Sequence, residues 1–168
     1  MKPVIDSVRL VLHEFSVDDA GFMLRLVNEP SWLKYIGDRK VYTLADAERY
    51  LTEGSIKSYS DHGFGFWKVE LKSTGAAMGS AGLAKRDYLD DVDLGFAFLP
   101  EFTGQGYAYE AAEAIVLYAK EKLGLKRLVA FNTKDNTSSS RLLLKLGFQL
   151  ESSLILEGEE LNLYGKEI

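Results

Sequence analysis

One stretch of the chain decides its fold, residues 94–111, which read Leu94-Gly95-Phe96-Ala97-Phe98-Leu99-Pro100-Glu101-Phe102-Thr103-Gly104-Gln105-Gly106-Tyr107-Ala108-Tyr109-Glu110-Ala111. An apolar strand runs into a loop with two glycines, and the loop opens a helix. Glycine lets the backbone approach a ligand closely, and the first N–H groups of a helix have no partner within it. Together with the helix dipole, these groups form an anion site that needs no lysine. A plain tight turn before a helix is the alternative interpretation.

The loop matches neither of two common phosphate-binding patterns. No Gly-Lys-Ser/Thr follows it, as a Walker loop requires, and the dinucleotide pattern needs a third glycine and an opening strand–helix–strand unit. The elements on either side of the loop must therefore decide between an anion site and a simple turn.

The chain before the loop is predicted to form two helices and four strands. Two capping pairs, Ser16 with Asp19 and Thr43 with Asp46, open helices, and Pro30 ends the first of them. Alternating or apolar runs predict strands over residues 9–15, 66–71, 77–85 and 92–99. Because short turns join the last three strands, they are predicted to form an antiparallel meander.

The hydrophobic period changes after the loop. Apolar residues at helical spacing predict a helix over 109–123, and the apolar run over 127–132 predicts a buried strand. A strand, helix, strand order is a parallel crossover. A short helix over 139–146 and a hairpin close the chain. We therefore expect one α+β domain over residues 1–168, with a mixed, mostly antiparallel sheet of six to seven strands and four helices.

Composition excludes several classes of function. The 168 residues carry a net charge of −5 and include no cysteine and two histidines. Disulfides, thiolate metal sites and cysteine nucleophiles are therefore absent, and a histidine metal site is not expected. No basic cluster suggests a nucleic-acid partner. Neither a signal peptide nor a long apolar run is present, so we expect a cytoplasmic protein without a membrane partner.

Two motifs resemble those of a known family. Residues 100–111 resemble the acetyl-CoA motif of the GNAT superfamily of N-acetyltransferases. They are closest to the RimJ/RimL-like branch (ribosomal-protein-alanine acetyltransferases and relatives), which typically reads Pro-Glu-x-Trp-Gly-x-Gly-Tyr-Ala-Thr-Glu-Ala. Residues 136–148, Asn136-Thr137-Ser138-Ser139-Ser140-Arg141-Leu142-Leu143-Leu144-Lys145-Leu146-Gly147-Phe148, resemble the branch's Asn-x-x-Ser-x-x-x-x-x-Lys-x-Gly-Phe. The order of elements agrees over essentially the whole chain. Thr103 and Tyr109 depart from the usual Trp and Thr.

The resemblance implies acetyl-CoA as co-substrate, no metal, and direct acetyl transfer to an amine in a ternary complex. In the family the two parallel strands splay apart, and the exposed strand edge pairs with the pantetheine arm. The implied acetyl-CoA contacts are Phe96, Ala97, Phe98, Thr103, Gly104, Gln105, Gly106, Tyr107, Ala108, Tyr109, Asn136 and Ser139. An N–H of the strand aimed at the acetyl carbonyl would also stabilise negative charge on its oxygen.

The attacking amine must be neutral, so a base is needed. Asp93 stands where the branch commonly has Glu, which makes it the implied base; a solvated acid in the turn over 90–93 is an equal alternative. Glu70 and Glu160 are weaker candidates.

The leaving thiolate needs a proton or a hydrogen bond. Many superfamily members use a Tyr where this chain has Leu143, so Ser139 becomes the candidate. A helix N-cap is the favoured alternative for Ser139.

The acceptor amine is the least constrained part of the resemblance. Trp32 and Tyr35 lie in an aromatic-rich connection, residues 32–42, between the two early helices, and are the predicted acceptor contacts. The acceptor is either a protein N-terminus or a small amine such as an amino acid, a polyamine or an antibiotic, and the protein a monomer or homodimer. A non-catalytic acyl-CoA-binding or sensor module on the same fold is the alternative function.

Overall fold

An eight-stranded sheet organises residues 3–168, the part of the chain that the computed structural model describes. The strands are β1 Ile5–Asp6, β2 Leu10–Glu14, β3 Phe66–Leu71, β4 Ala77–Ala84, β5 Asp93–Phe98, β6 Arg127–Thr133, β7 Gln149–Leu156 and β8 Glu159–Glu167. Their order across the sheet is β1-β2-β3-β4-β5-β6-β8-β7. The helices are α1 Ala20–Val27, α2 Pro30–Tyr35, α3 Leu44–Leu51, α4 Lys57–His62, α5 Tyr107–Glu121 and α6 Thr137–Lys145.

The sheet confirms the predicted α+β class and corrects its strand count. Six to seven strands were expected; the described residues form eight, because the two-residue strand β1 pairs with β2 through Ile5 opposite Leu12. A strand of two residues is too short to show a hydrophobic period in the sequence. Every neighbouring pair is antiparallel except β5 with β6, as the meander and the crossover predicted.

The helices are also more numerous than the four expected. Pro30 does not simply end α1; it occupies the first turn of α2, where its missing N–H has no cost. The predicted connection over residues 32–42 is therefore helical up to Tyr35. A π-helical turn, Thr52–Ile56, joins α3 to α4, so the six segments within residues 3–168 make five helical bodies. None of these helices is both long and apolar enough to cross a bilayer.

Both predicted capping boxes are present. Ser16 accepts from a backbone N–H at the start of a 3-10 turn that leads into α1, and the Asp19 carboxylate accepts from the Ser16 N–H. Thr43 and Asp46 form the same reciprocal pair at α3. Each box satisfies N–H groups that the helix itself leaves without a partner.

Two apolar clusters hold the layers together. The larger one packs α5 on the sheet, and its helix contributes Ala111, Ala112 and Ala119, all fully buried. Such small side chains let the helix backbone approach the strands closely. The smaller cluster joins α1, α2 and α3 through Met23, Trp32 and other apolar residues. This second cluster sets the early helices against one end of the sheet, beside the gap described next.

The parallel strands β5 and β6 separate almost as soon as they meet. They share one residue pair, Asp93 opposite Val129, with the Val129 N–H donating to the Val92 carbonyl at 3.0 Å. Strand β6 pairs with β8 over seven residues on its other side. The rest of β5 therefore faces an open gap, which is the splayed pair that the resemblance implied.

Candidate active site

The gap between β5 and β6 opens into a cleft of about 1570 Å³. The loop between β5 and α5 follows one end of β5, and the turn after β4 lies beside the other end. Both line the cleft, as do α2 and α3. Most small-molecule pockets have volumes of about 300–1,000 Å³. The volume of this cleft lies above that range.

The loop at the start of α5 leaves its backbone N–H groups free. Gly104 and Gly106 have φ of 73° and 82°, in the left-handed region that favours glycine. The first helical hydrogen bond runs from the Glu110 N–H to the Gly106 carbonyl at 3.0 Å. Within residues 3–168, the six backbone N–H groups of residues 104–109 donate to no protein acceptor. They form a row of free donors at the positive end of the helix.

Arg9 fixes this loop from the neighbouring strand. Its Nε and backbone N–H donate to the two carboxylate oxygens of Glu110, at 3.1 Å and 3.0 Å. Its Nη1 donates to the Gln105 carbonyl at 3.1 Å, and the guanidinium lies 4.4 Å from the centre of the Tyr107 ring. The loop is thus clamped between β2 and the first turn of α5, with its N–H groups left free.

Loop side chains bond inward rather than toward the free N–H groups. The Thr103 hydroxyl donates to the Pro100 carbonyl at 2.8 Å, and the Gln105 amide donates to the Glu101 carbonyl at 3.0 Å. Tyr109 donates its hydroxyl to Glu113 and lies under the Lys145 ammonium, 4.2 Å from the ring centre. Neither departure from the family motif, Thr103 or Tyr109, alters the backbone cradle.

The open edge of β5 presents backbone groups to the gap. The Leu99 N–H donates to the Met78 carbonyl at 2.9 Å, which places the odd-numbered residues in the ladder with β4. Because backbone groups alternate in direction along an antiparallel strand, the N–H and C=O of Leu94, Phe96 and Phe98 face the gap. Ala97 lines the cleft, yet its backbone groups point to β4, so the expectation of a backbone contact from Ala97 is corrected to Leu94.

Asp93 begins β5 and is almost completely buried, with 3% of its side chain exposed. Its Oδ1 accepts from the Arg86 Nε at 2.7 Å, and the residue lines the cleft. Burial raises the pKa of Asp93 above its ordinary value, whereas the charge and hydrogen bond of Arg86 lower it; the net direction is upward. Asp93 is therefore not a solvated acid of the turn over 90–93.

Arg86 is itself held by three groups. Besides Asp93, its Nη1 donates to the Tyr88 hydroxyl at 3.3 Å, and its guanidinium lies 5.3 Å from the centre of the Phe131 ring. The arrangement fixes the carboxylate of Asp93 at the point where β5 and β6 part.

The second motif forms the start of α6. Asn136, not Ser139, is the N-cap: its Oδ1 accepts from the Ser139 N–H at 3.2 Å. The favoured reading of Ser139 as the cap is thus wrong, because Ser139 lies three positions into the helix. Its Oγ accepts from the Asn132 Nδ2 at 3.2 Å instead, so its own proton is free to donate. Asn136 and Ser139 both line the cleft.

A small polar network lies behind Ser139. Asn132 is buried on β6 and also donates to the Ser140 Oγ at 3.0 Å, and the Tyr164 hydroxyl donates to the same oxygen at 2.9 Å. The Asn132 Oδ1 is buried without a protein donor within residues 3–168. An unpaired buried carbonyl oxygen is costly to stability. Leu143, at the family's Tyr position, is buried in the core.

The predicted acceptor residues Trp32 and Tyr35 both line the cleft. Trp32 is buried in the smaller cluster, and its Nε1 has no acceptor among the residues described. Tyr35 is half-buried, with the Lys34 ammonium 5.0 Å from its ring centre. The weaker base candidates lie elsewhere: Glu70 contacts His13 at 2.5 Å, and Glu160 pairs with Lys134 at 3.1 Å, and neither acid lines the cleft.

Sequence reasoning missed Arg9, Arg86 and Asn132. Arg9 pairs with Glu110, 101 residues away. Arg86 and Asn132 contact residues only seven positions away, but these lie in a different secondary-structure element, so no spacing within one element reveals them. The one available signal was chemical: Arg86 is a cation close to the run of acids over 90–93.

Comparisons with known proteins agree with this geometry. A family model described as an acetyltransferase (GNAT) domain matches residues 9–149. The N-acetyltransferase YoaA of Bacillus subtilis is 28% identical over 155 residues, which are 92% of this chain and 87% of the relative. An acetyltransferase structure from Agrobacterium tumefaciens str. C58 has a TM-score of 0.84 at 23% identity, covering 99% of this chain and 95% of that one.

RimL, the ribosomal L7/L12 alpha-N-protein acetyltransferase, was solved in complex with coenzyme A. It has a TM-score of 0.84 at 17% identity, covering 99% of this chain and 98% of that one. This shared fold agrees with the RimJ/RimL-like resemblance of the two motifs. The chain belongs to the acetyltransferase (GNAT) domain family and is an acetyl-CoA-dependent N-acetyltransferase.

Proposed function

We propose that the protein transfers the acetyl group of acetyl-CoA directly to a primary amine while both substrates are bound. One observation carries the proposal: the open edge of β5 runs from the free N–H groups of residues 104–109 to the buried carboxylate of Asp93. An acyl donor laid along that edge places its reacting end near a base. The acceptor is a protein N-terminus or a small amine.

The residues present fit acetyl-CoA. The pyrophosphate is an anion, and the N–H groups of residues 104–109 supply donors and the positive helix end without a lysine. The pantetheine arm carries amide groups, which complement the N–H and C=O groups of Leu94, Phe96 and Phe98 as an added strand does.

Asp93 removes the proton from the attacking amine. Alkyl amines have pKa values of about 10, so at neutral pH a base is needed to provide the neutral nucleophile. Burial makes Asp93 a better base than a surface carboxylate by raising its pKa, and the charge and hydrogen bond of Arg86 offset part of that rise. Asp93 takes one proton from the ammonium form of the acceptor. The new C–N bond then forms as the C–S bond breaks, and the second proton of the nitrogen goes to the departing thiolate, which leaves as the thiol of CoA.

Ser139 donates a hydrogen bond to the departing sulfur. Its hydroxyl proton is available because the Asn132 Nδ2 already donates to its oxygen. Ser139 thus replaces the tyrosine of other superfamily members, at the same helix and without a change of fold.

The experiment has two steps on the full chain. Thermal unfolding with and without acetyl-CoA measures binding, and release of free thiol measures transfer to a panel of amines that includes peptides starting with Ser or Ala. We expect an upward shift in Tm and thiol release with at least one amine. A shift in Tm without thiol release from any amine supports a non-catalytic acyl-CoA-binding or sensor module instead. No shift with acetyl-CoA or CoA contradicts both functions.

A further inference from the structure

A basic cluster lies in the end of the cleft opposite the acetyl-CoA loop. We define it by Arg39, Tyr50 and Arg86, all of which line the cleft. Tyr50 is half-buried on α3, and both guanidinium charges act on its hydroxyl group. Arg39 and Arg86 therefore both lie near the Tyr50 hydroxyl, and all three side chains line the same cleft.

A fixed turn presents Arg39 to the cleft. Gly37 has φ of 112° and Lys40 has φ of 57°, the latter a left-handed conformation that costs a non-glycine residue about 1–2 kcal/mol. Asp38 holds the turn with both oxygens: Oδ1 accepts from the Lys40 N–H at 2.7 Å, and Oδ2 accepts from the Tyr42 hydroxyl at 2.6 Å. The nearest acid in sequence is thus committed to the turn itself.

Arg39 has no counter-ion of its own. Among residues 3–168, no carboxylate lies within 4.0 Å of its guanidinium, whereas Arg9, Arg25, Arg49, Arg86 and Arg127 each have one. Arg86 binds Asp93 through Nε and Tyr88 through Nη1, which leaves Nη2 without a protein acceptor in the described chain. Two acids of the cleft wall, Glu53 and Asp87, form no ion pair with either arginine there.

We propose that the acceptor is an amine that carries its own anionic group, a carboxylate or a phosphate, bound by Arg39, the Tyr50 hydroxyl and the free Nη2 of Arg86. Guanidinium groups bind these anions through paired, charge-assisted hydrogen bonds. Because Arg86 lies near Tyr50 and its Nε binds Asp93, the same arginine links the anion to the base. An amine a few bonds from the anion then lies at Asp93. This inference rests on the proposed acetyl transfer and names its substrate class.

The test compares matched amines that differ in the anion alone. Phenylalanine against phenylalaninamide tests the carboxylate, and O-phosphoethanolamine against ethanolamine tests the phosphate. Each amine is measured for thiol release with acetyl-CoA and, separately, for its shift of Tm in the presence of saturating CoA. The proteins are wild type, Arg39→Gln, Tyr50→Phe and Arg49→Gln. Arg49 is the matched control because it adjoins Tyr50, is exposed, pairs with Asp46 and does not line the cleft.

We expect at least one anionic amine to exceed its neutral partner by about tenfold to a hundredfold in kcat/KM, the range of a charged hydrogen bond. Arg39→Gln should remove that preference, Tyr50→Phe should reduce it, and Arg49→Gln should keep it, with the KM for acetyl-CoA unchanged in all three. The shifts of Tm should follow the same order.

Three results overturn the inference while leaving acetyl transfer intact. These are equal use of both members of each pair, a preference for the neutral member, or a preference that persists in Arg39→Gln. The inference is also wrong if Arg39→Gln raises the KM for acetyl-CoA and leaves the KM for the amine unchanged, because Arg39 then binds acetyl-CoA and not the acceptor. If no amine releases thiol, the proposed acetyl transfer is wrong. The anion site is then tested by Tm alone: a larger Tm shift with the anionic amine that disappears in Arg39→Gln supports the site, and equal Tm shifts with both members of each pair contradict it.

Discussion

The two ends of the cleft bind through different parts of the chain. At the acetyl-CoA end the donors are backbone N–H groups of residues 104–109, set by two glycines with positive φ. At the proposed acceptor end the candidate groups are side chains, those of Arg39, Tyr50, Arg86 and Asp93. A site made of backbone tolerates a change of side chain, whereas a site made of side chains changes its ligand with one substitution.

The difference follows from what each ligand requires. The pyrophosphate needs only N–H donors and a positive helix end, which any residue supplies if its φ and ψ are right. An acceptor needs a base and groups that discriminate one amine from another, which only particular side chains supply. The predictions below test this division, from the largest expected effect to the smallest.

Asp93→Asn should cause the largest loss at the acceptor end. The substitution keeps the acceptor oxygen for the Arg86 Nε but removes the base, and a positioned base contributes about 10²–10⁴-fold. We expect kcat to fall within that range, with the affinity for acetyl-CoA unchanged. Initial rates of thiol release at saturating acetyl-CoA measure the first quantity, and the acetyl-CoA-dependent shift of Tm measures the second.

Asp91→Asn is the matched control, because Asp91 lies two residues away, pairs with Arg127 at 3.2 Å and does not line the cleft. Its kcat should remain near that of the wild type. An unchanged kcat in Asp93→Asn at neutral pH eliminates Asp93 as the base.

Gly106→Ala should weaken acetyl-CoA binding at the other end. At φ of 82° an L residue costs about 1–2 kcal/mol, and its Cβ would lie 3.3 Å from the Arg9 Nη2. The loop must relax, and the row of N–H donors shifts with it. We expect the Kd for acetyl-CoA to rise about tenfold, as a loss near 1.4 kcal/mol implies, with calorimetry as the measurement.

Gly124→Ala controls for the cost of the conformation alone. Gly124 follows the other end of α5, has φ of 67°, and has open space around its Cβ position. It should lower Tm without raising the Kd. Thr103→Ala, which changes a side chain of the loop and leaves its φ free, should also retain the affinity. A larger effect from Thr103→Ala than from Gly106→Ala contradicts a cradle built from backbone.

The loop that opens α5 could be predicted from sequence because its determinants are local. Gly104 and Gly106 stand next to the helix they open, and the crossover to β6 follows from a change of hydrophobic period along the same stretch. The same local signals located both capping boxes. They failed at Pro30, since one proline can end a helix or begin the next, and at β1, which is too short to show a period.

The acceptor end could not be predicted in the same way. Asp93 was identified only through the resemblance, and its partner Arg86 lies across the turn between two strands. Arg39 and Tyr50 meet through the packing of α1, α2 and α3, which no spacing in the sequence encodes. At α6 the sequence offered several polar residues for one N-cap, and only the structure assigns the cap to Asn136 and frees Ser139.

Of the variants proposed, the controls aside, Arg86→Gln should have the smallest effect on the maximal kcat, but it should clearly change how kcat depends on pH. Burial raises the pKa of Asp93 and Arg86 lowers it, so removing Arg86 moves that pKa further upward. A base acts only when deprotonated; the acidic limb of the kcat profile should therefore shift to higher pH. The stability of the protein should also depend on pH through Asp93. Because burial disfavours the charged form of this carboxylate, Tm should fall as pH rises through the pKa of Asp93 in the folded protein.

Lys85→Gln separates this effect from a general loss of positive charge. Lys85 adjoins Arg86, but its ammonium donates to the Leu89 carbonyl at 3.1 Å and makes no ion pair with Asp93 within residues 3–168. The acidic limb of the kcat profile should lie at the same pH in Lys85→Gln as in the wild type. Both proteins are measured with the same amine, so titration of the amine affects both profiles equally. A shift toward lower pH in Arg86→Gln contradicts the proposed base, because an ion pair removed from a carboxylate cannot lower its pKa. The other informative result is an acidic limb of the kcat profile that stays unshifted in Arg86→Gln while Asp93→Asn is inactive. That result assigns the limb to titration of the amine and means that Asp93 is ionised over the whole pH range measured. The acceptor end then depends on the position of the Asp93 carboxylate and not on its raised pKa.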